Sequence, residues 1–140
     1  MSIRRFLAAV GLSLALISPC AAASSEHVIA IPAATYTTSQ FSAPIDVTKQ
    51  VECAILSNIT AASGTTPTWT ASVDTSIDGG TTWVSAIATG TALTAVSSQL
   101  FSIGSGMTGN SIAFGDTIRV HVVIAGTTPS FTGSVTVVCK

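Results

Sequence analysis

Gly64-Thr65-Thr66-Pro67-Thr68-Trp69-Thr70-Ala71-Ser72-Val73 recurs as Gly126-Thr127-Thr128-Pro129-Ser130-Phe131-Thr132-Gly133-Ser134-Val135. The two copies differ at three positions: Thr to Ser, Trp to Phe and Ala to Gly. Such an echo reads as one structural unit used twice. It carries no acid, base or thiol, so it points to a scaffold that binds or builds rather than to catalysis. Its β-branched threonines suit a pleated surface, and its Gly and Pro punctuate strands.

Working outward, strand signals recur between Gly, Pro, Asn and Asp turns, and no helical period holds after residue 24. Strands are expected over 27–32, 36–47, 51–60, 68–75, 82–88 and, more weakly, 92–103. In the third of these, Val51, Cys53, Ile55, Ser57 and Ile59 share a face. A tight turn at Asp78-Gly79-Gly80 joins two strands so that Trp83 and Ile87 face the same way as Trp69 and Val73. Residues 104–116 form a Gly-rich loop carrying Met107, Ile112 and Phe114. In the last pair, Ile118, Val120, Val122 and Ile124 face inward, and Phe131, Gly133, Val135, Val137 and Cys139 return along the core.

This reading makes each Gly-Thr-Thr-Pro the tip of a hairpin, with Pro67 and Pro129 at strand starts. Cys53 lies well before the first tip and Cys139 a similar distance after the second. If the tips share one end, the cysteines share the other. The expected fold is all-β: an antiparallel two-sheet β-sandwich, Ig-like or jelly-roll-like, with pseudo-twofold character.

The N-terminus reads as a signal peptide. Arg4 and Arg5 precede an apolar stretch over 6–17, then Pro19 and the small residues Ala21-Ala22-Ala23. Cleavage is expected after Ala23, giving a signal peptide over 1–23 and one β-sandwich domain over 24–140. The apolar run is shorter than the ~20 residues of a spanning helix, which disfavours an uncleaved anchor. Acylation at Cys20 is a further alternative, and Pro19 fits a lipobox poorly. Membrane contact is thus confined to the segment before cleavage, and the protein is expected to be periplasmic or extracellular. Cys53 and Cys139 then remain as an even pair, which in an exported chain reads as a disulfide; two free buried thiols are the alternative.

Composition narrows the function classes. Charged residues make up 8% of the chain, against about a quarter in ordinary domains. After residue 23 the basic residues are Lys49, Arg119 and Lys140, against Glu26, Asp46, Glu52, Asp74, Asp78 and Asp116, a net charge of −3. No basic stripe exists to hold nucleic acid. A weakly charged Thr/Ser exterior suits contact with other subunits.

No catalytic or cofactor constellation stands out. His27 and His121 are far apart, and paired cysteines leave no zinc spacing. Asp74, Asp78 and Asp116 could gather calcium, but no EF-hand-type loop accompanies them, and turn or edge roles are favoured. Gly104-Ser105-Gly106 lacks the continuation of a phosphate loop. No catalytic residue, metal or cofactor is therefore assigned.

Ser76-Ile77-Asp78-Gly79-Gly80-Thr81-Thr82-Trp83 resembles the Asp-box turn of sialidases and related propellers. Its physical content is a turn: Asp78 accepts backbone N–H bonds, Gly80 takes positive φ, and Trp83 anchors the next strand. One copy is too little for a propeller. A sialidase-like site would also need an arginine cluster, and Arg119 is the one arginine after residue 23.

A wider resemblance covers about residues 50–140. It comprises Thr-Pro-Thr-Trp-Thr-Ala-Ser-Val leading to the Asp-Gly-Gly turn, Phe114-Gly115-Asp116-Thr117-Ile118-Arg119-Val120, and the closing Pro129-Ser130-Phe131-Thr132-Gly133-Ser134-Val135. In this order the chain resembles small β-sandwich structural proteins of tailed bacteriophages, of the head or tail accessory type. The resemblance implies a structural role without catalysis. The signal segment and cysteine pair depart from it, leaving a virion part, a host-surface protein or a secreted relative open. Protein subunits, self or a larger particle, are the expected partners. Their contacts would be Gly64, Thr65, Thr66, Pro67, Gly126, Thr127, Thr128, Pro129, Met107 and Phe114; a cover over the sandwich end is the other role for the 104–116 loop. The alternative function is a carbohydrate-binding or adhesin domain recognising a cell-surface glycan, which requires Trp69, Trp83 or Tyr36 to be exposed.

Overall fold

The computed structural model describes residues 25–104 and 112–140. The expected signal peptide, Met107 and the remainder of 105–111 lie outside the described residues. The strands are β1 (Glu26–Tyr36), β2 (Gln40–Phe41), β3 (Ile45–Asp46), β4 (Glu52–Ser76), β5 (Val84–Thr89), β6 (Ser97–Gly104) and β7 (Thr117–Cys139). The described chain is all-β, and hydrogen bonds join the seven strands into one antiparallel sheet.

Two strands dominate. β4 and β7, of 25 and 23 residues, pair from Cys53↔Cys139 to Ser76↔Thr117. The Gly-Thr-Thr-Pro copies are therefore not hairpin tips. Both lie inside these long strands and face each other, with Thr65 paired to Thr127 and register shifts on either side. Pro67 and Pro129 likewise sit at these irregularities rather than at strand starts. The bulged region leaves some amide positions outside the regular ladder, which is where Pro can be accommodated.

The ladder does not run straight. Trp69 Nε1 donates to Ser57 Oγ at 2.8 Å, although the two are 12 residues apart in one strand. Twelve extended residues span about 40 Å, so β4 folds back between them. Trp69 also meets Phe131 at a ring-centroid distance of 5.8 Å and Tyr36 at 5.9 Å. The inward faces of both halves of the ladder thus supply one core, which includes Cys53, Ile55, Ile59, Trp69, Val73, Ile118, Val120, Val122, Phe131, Val135 and Val137.

The neighbours repeat the twofold pattern. β6 pairs with the first half of β4, and β2 and β3 with the first half of β7. β5 pairs with the second half of β4, and β1 with the second half of β7. Gly64 (φ 112) and Gly126 (φ 121) occupy matching places at the crossing. A Cβ on Gly64 would lie 2.7 Å from Thr128 O, and one on Gly126 would lie 2.7 Å from Thr66 O. Each glycine is where the opposite copy passes, so a side chain there meets backbone.

Cys53 and Cys139 form a buried disulfide between directly opposed residues, with Cα atoms 4.1 Å apart. Of the expected inward face, Cys53, Ile55, Ser57 and Ile59 are buried; Val51 lies before the strand begins and is exposed.

Candidate functional site

The Asp78 turn is built by short polar side chains. Ser76 Oγ donates to Asp78 Oδ1 at 2.6 Å and accepts the Gly80 amide at 2.9 Å. Asp78 Oδ1 also accepts the Thr81 and Thr82 amides at 3.1 and 2.8 Å. Positive φ at Gly79 (67°) and Gly80 (91°) lets these donors converge,. The Ser76 hydroxyl and then the Thr82 groups hold the Asp78 carboxyl down to a pKa of about 2. Every one of these bonds is internal to the turn, which is what a structural turn requires.

Trp83 does not join the core as expected. The β4–β5 ladder pairs Val73 with Ala88 but Thr75 with Val84, so a bulge intervenes. Ala86 takes φ 53 there and gives its amide to Asp74 Oδ1 at 2.9 Å. That irregularity leaves Trp83 half-buried before β5 begins, while Ile87 still packs against the core.

Trp83 belongs instead to a stack across the sheet surface. The Arg119 guanidinium carbon lies 4.3 Å from the Trp83 ring centre and 4.4 Å from that of Phe41. Phe41 in turn stacks on His121 at 3.9 Å, with the planes 11° apart. Arg119 Nε donates to the buried Asp74 Oδ2 at 2.9 Å. The order is Trp83, Arg119, Phe41, His121, combining cation–π contact with a charge-assisted hydrogen bond. The sequence reading missed this group, because Phe41 and Trp83 flank Arg119 from distant parts of the chain.

Phe41 contacts both His121 and Arg119 and is still 53% exposed. Trp83 faces Arg119 and lies against Gly80, where an added Cβ would meet its ring at 3.2 Å. Trp69 is buried. Tyr36 leans on Trp69 and donates its hydroxyl to Pro32 O at 2.7 Å.

The other expected residues are dispersed. Gly64, Thr65, Thr66, Gly126, Thr127 and Thr128 are exposed together at the crossing, with Pro67 and Pro129 half-buried beside them. Phe114 is half-buried and packs against the core. Asp74 serves Arg119 and Ala86, and Asp78 serves its turn. Among the described residues, no group of three His, Cys, Asp or Glu side chains could hold a metal. Asp116 Oδ1 is buried and has no hydrogen-bond partner among the described residues. Small clefts of about 200 and 180 Å³ lie by Asp46 and Lys49 and by Ala54 and Val138.

A sheet surface carries several exposed apolar side chains. Outside the first half of β4, Leu100, Leu56, Thr136 and Ile29 stand side by side across β6, β4, β7 and β1. Leu100, Leu56 and Ile29 are 67%, 41% and 62% exposed, and Val138 beside them is 37% exposed. Isolated exposed apolar residues are ordinary; here three stand in one row that Thr136 interrupts, and larger exposed apolar patches are found at contact surfaces.

No family model matches the chain, no curated protein matches it in sequence, and no solved structure matches it.

Proposed function

We propose that this chain is a non-enzymatic, exported structural subunit whose folded sheet forms a β-sandwich and which assembles with other protein subunits on a larger particle or cell surface. The observation that carries the reading is the exposed row Leu100–Leu56–Thr136–Ile29. An accessory role like that of small tailed-phage structural proteins fits a chain whose identifiable interactions hold the sheet together. Export agrees with the signal-like segment over 1–23 and with the buried Cys53–Cys139 disulfide, since such bonds persist in oxidising compartments,.

The carbohydrate-binding alternative is less well supported, because Trp69 is buried and Trp83 and Tyr36 are half-buried against neighbours, although Phe41 keeps an exposed ring. Catalysis has little to draw on. The His121 ring is taken up by Phe41, and His27 lies on edge strand β1. Native mass measurement and light scattering on the exported protein test the reading. Species above the monomer mass, alone or with a co-expressed surface component, are expected. A strict monomer that binds a glycan array overturns it.

A further inference from the structure

We propose that the outer face of β6–β4–β7–β1 is a self-association surface whose occupant is the same face of a second copy, packed about a twofold axis. This rests on the assembly reading and gives it a partner. One row of the face is Leu100, Leu56, Thr136 and Ile29; the next, toward the disulfide end, is Ser102, Ala54, Val138 and His27. The first row carries exposed branched side chains. The second has a hollow over Ala54, part of a cleft of about 180 Å³ lined by Ser25, Glu52, Ala54, Val138 and Lys140.

Projection and hollow stand on one strand, two residues apart. A twofold axis lying between the two faces, parallel to the rows and midway between them, sets Leu56 of each copy over Ala54 of the other. The same operation brings Leu100 over Ser102, Thr136 over Val138 and Ile29 over His27. This is the reciprocity a closed twofold interface demands.

Charge agrees with the placement. Neither row contains Asp, Glu, Lys or Arg, so like charges are not forced together. The nearest charges, Glu52 and Lys140, pair with each other at 3.3 Å. The operation places them opposite Asn58 and Ser134, which offer neutral polar groups. A nucleic-acid partner would require a basic face, which this is not.

Area sets the strength. Four strands about 4.8 Å apart and eight residues long present roughly 500 Å² per copy, or about 1,000 Å² for the pair,. That reaches the lower bound for a specific interface, so the dimer should dissociate on dilution.

The test is sedimentation equilibrium on the full chain as exported, over a wide concentration range, with Leu56→Lys and Ala54→Leu beside the parent. Leu56 is exposed and Ala54 opens on the hollow, so circular dichroism and thermal melting should keep the parent profile. The parent should show a reversible monomer–dimer equilibrium, which each variant weakens at least about tenfold. A parent that dimerises equally well with both substitutions overturns the face, while the broader assembly reading stands. A parent that stays monomeric at every concentration overturns self-association; glycan-array binding by that monomer would then remove the assembly reading too. If both variants fail to keep the parent melt, Leu100→Lys on the edge strand replaces them, and undiminished dimerisation overturns the proposal.

Discussion

Adding one methyl group at the crossing of the two repeats should be costly, and equally so in either copy. Gly64 and Gly126 have φ of 112° and 121°. An L-residue held there costs about 1–2 kcal/mol. The new Cβ would also sit 2.7 Å from a backbone carbonyl oxygen of the opposite copy, with a Pro Cα and a second carbonyl oxygen at 3.0 Å. Backbone cannot turn aside as a side-chain end can, and overpacking of this kind adds about 1–3 kcal/mol. Gly64→Ala and Gly126→Ala should each destabilise by about 2–5 kcal/mol, lowering Tm by roughly 8–20 °C for a domain of this size. Gly79→Ala is the comparison without a clash, because Gly79 has φ 67°, within the left-handed region that an L-residue can enter, and a Cβ there meets nothing within 4 Å,; it should cost less than either crossing variant. Urea unfolding under non-reducing conditions measures all three, with an unchanged m-value as the check that midpoints report stability. The two crossing variants should agree within about 0.5 kcal/mol, and the double variant should fall short of their sum because one shift relieves both contacts. If Gly64→Ala costs no more than Gly79→Ala, the close crossing is refuted. If the two copies differ by more than about 1.5 kcal/mol, the twofold equivalence is refuted instead.

Three further outcomes follow from other parts of the molecule. Because the folded Asp78 pKa is lowered from 3.8 to about 2, the turn's contribution is complete above about pH 4 and lost as pH falls through about 2. The Thr82 amide resonance should titrate with a midpoint near 2, and a midpoint near 4 would contradict the hydrogen bonds drawn for the turn. Arg119→Met removes the partner of buried Asp74 while keeping a long stem between Phe41 and Trp83; a loss of about 2–4 kcal/mol is expected, and a neutral result would show that the ion pair is dispensable. Cys53 and Cys139 should resist alkylation until reduced, and Cys53→Ser with Cys139→Ser should lower stability by up to about 4–5 kcal/mol. Two thiols alkylated in the native, non-reduced protein would rule the disulfide out.

The parts of this fold legible in the sequence are those set by local alternation. Cys53, Ile55, Ser57 and Ile59 point inward as read, as do Ile118, Val120 and Val122. The cysteine pairing and the turn at Asp78 were readable for the same reason: an even thiol pair and a Ser-x-Asp-x-Gly pattern each have few physical solutions. The route of the chain through Gly-Thr-Thr-Pro was not. A Gly and Pro pair punctuates a hairpin tip and a bulged crossing alike, and only long-range pairing of one copy with the other decides between them. Trp83 was misplaced because the bulge turns on Ala86 at positive φ, a conformation that alanine does not announce. The Arg119 stack escaped notice because its rings come from residues 41, 83 and 121, which no local pattern connects. The outer face escaped notice because Leu100, Leu56 and Ile29 come from separate strands and are grouped only by the register of β6, β4, β7 and β1.

The most direct test of the central claim, a scaffold that works through the outer face of β6–β4–β7–β1, is a methyl and amide NMR dilution series on the full chain. Resonances of Ile29, Ala54, Leu56, Leu100 and Val138 should move together with concentration, while those of Phe41, Arg119 and Trp83 stay fixed. Concentration-independent spectra, or shifts gathered around Phe41 and Trp83 on adding sugars, would contradict it.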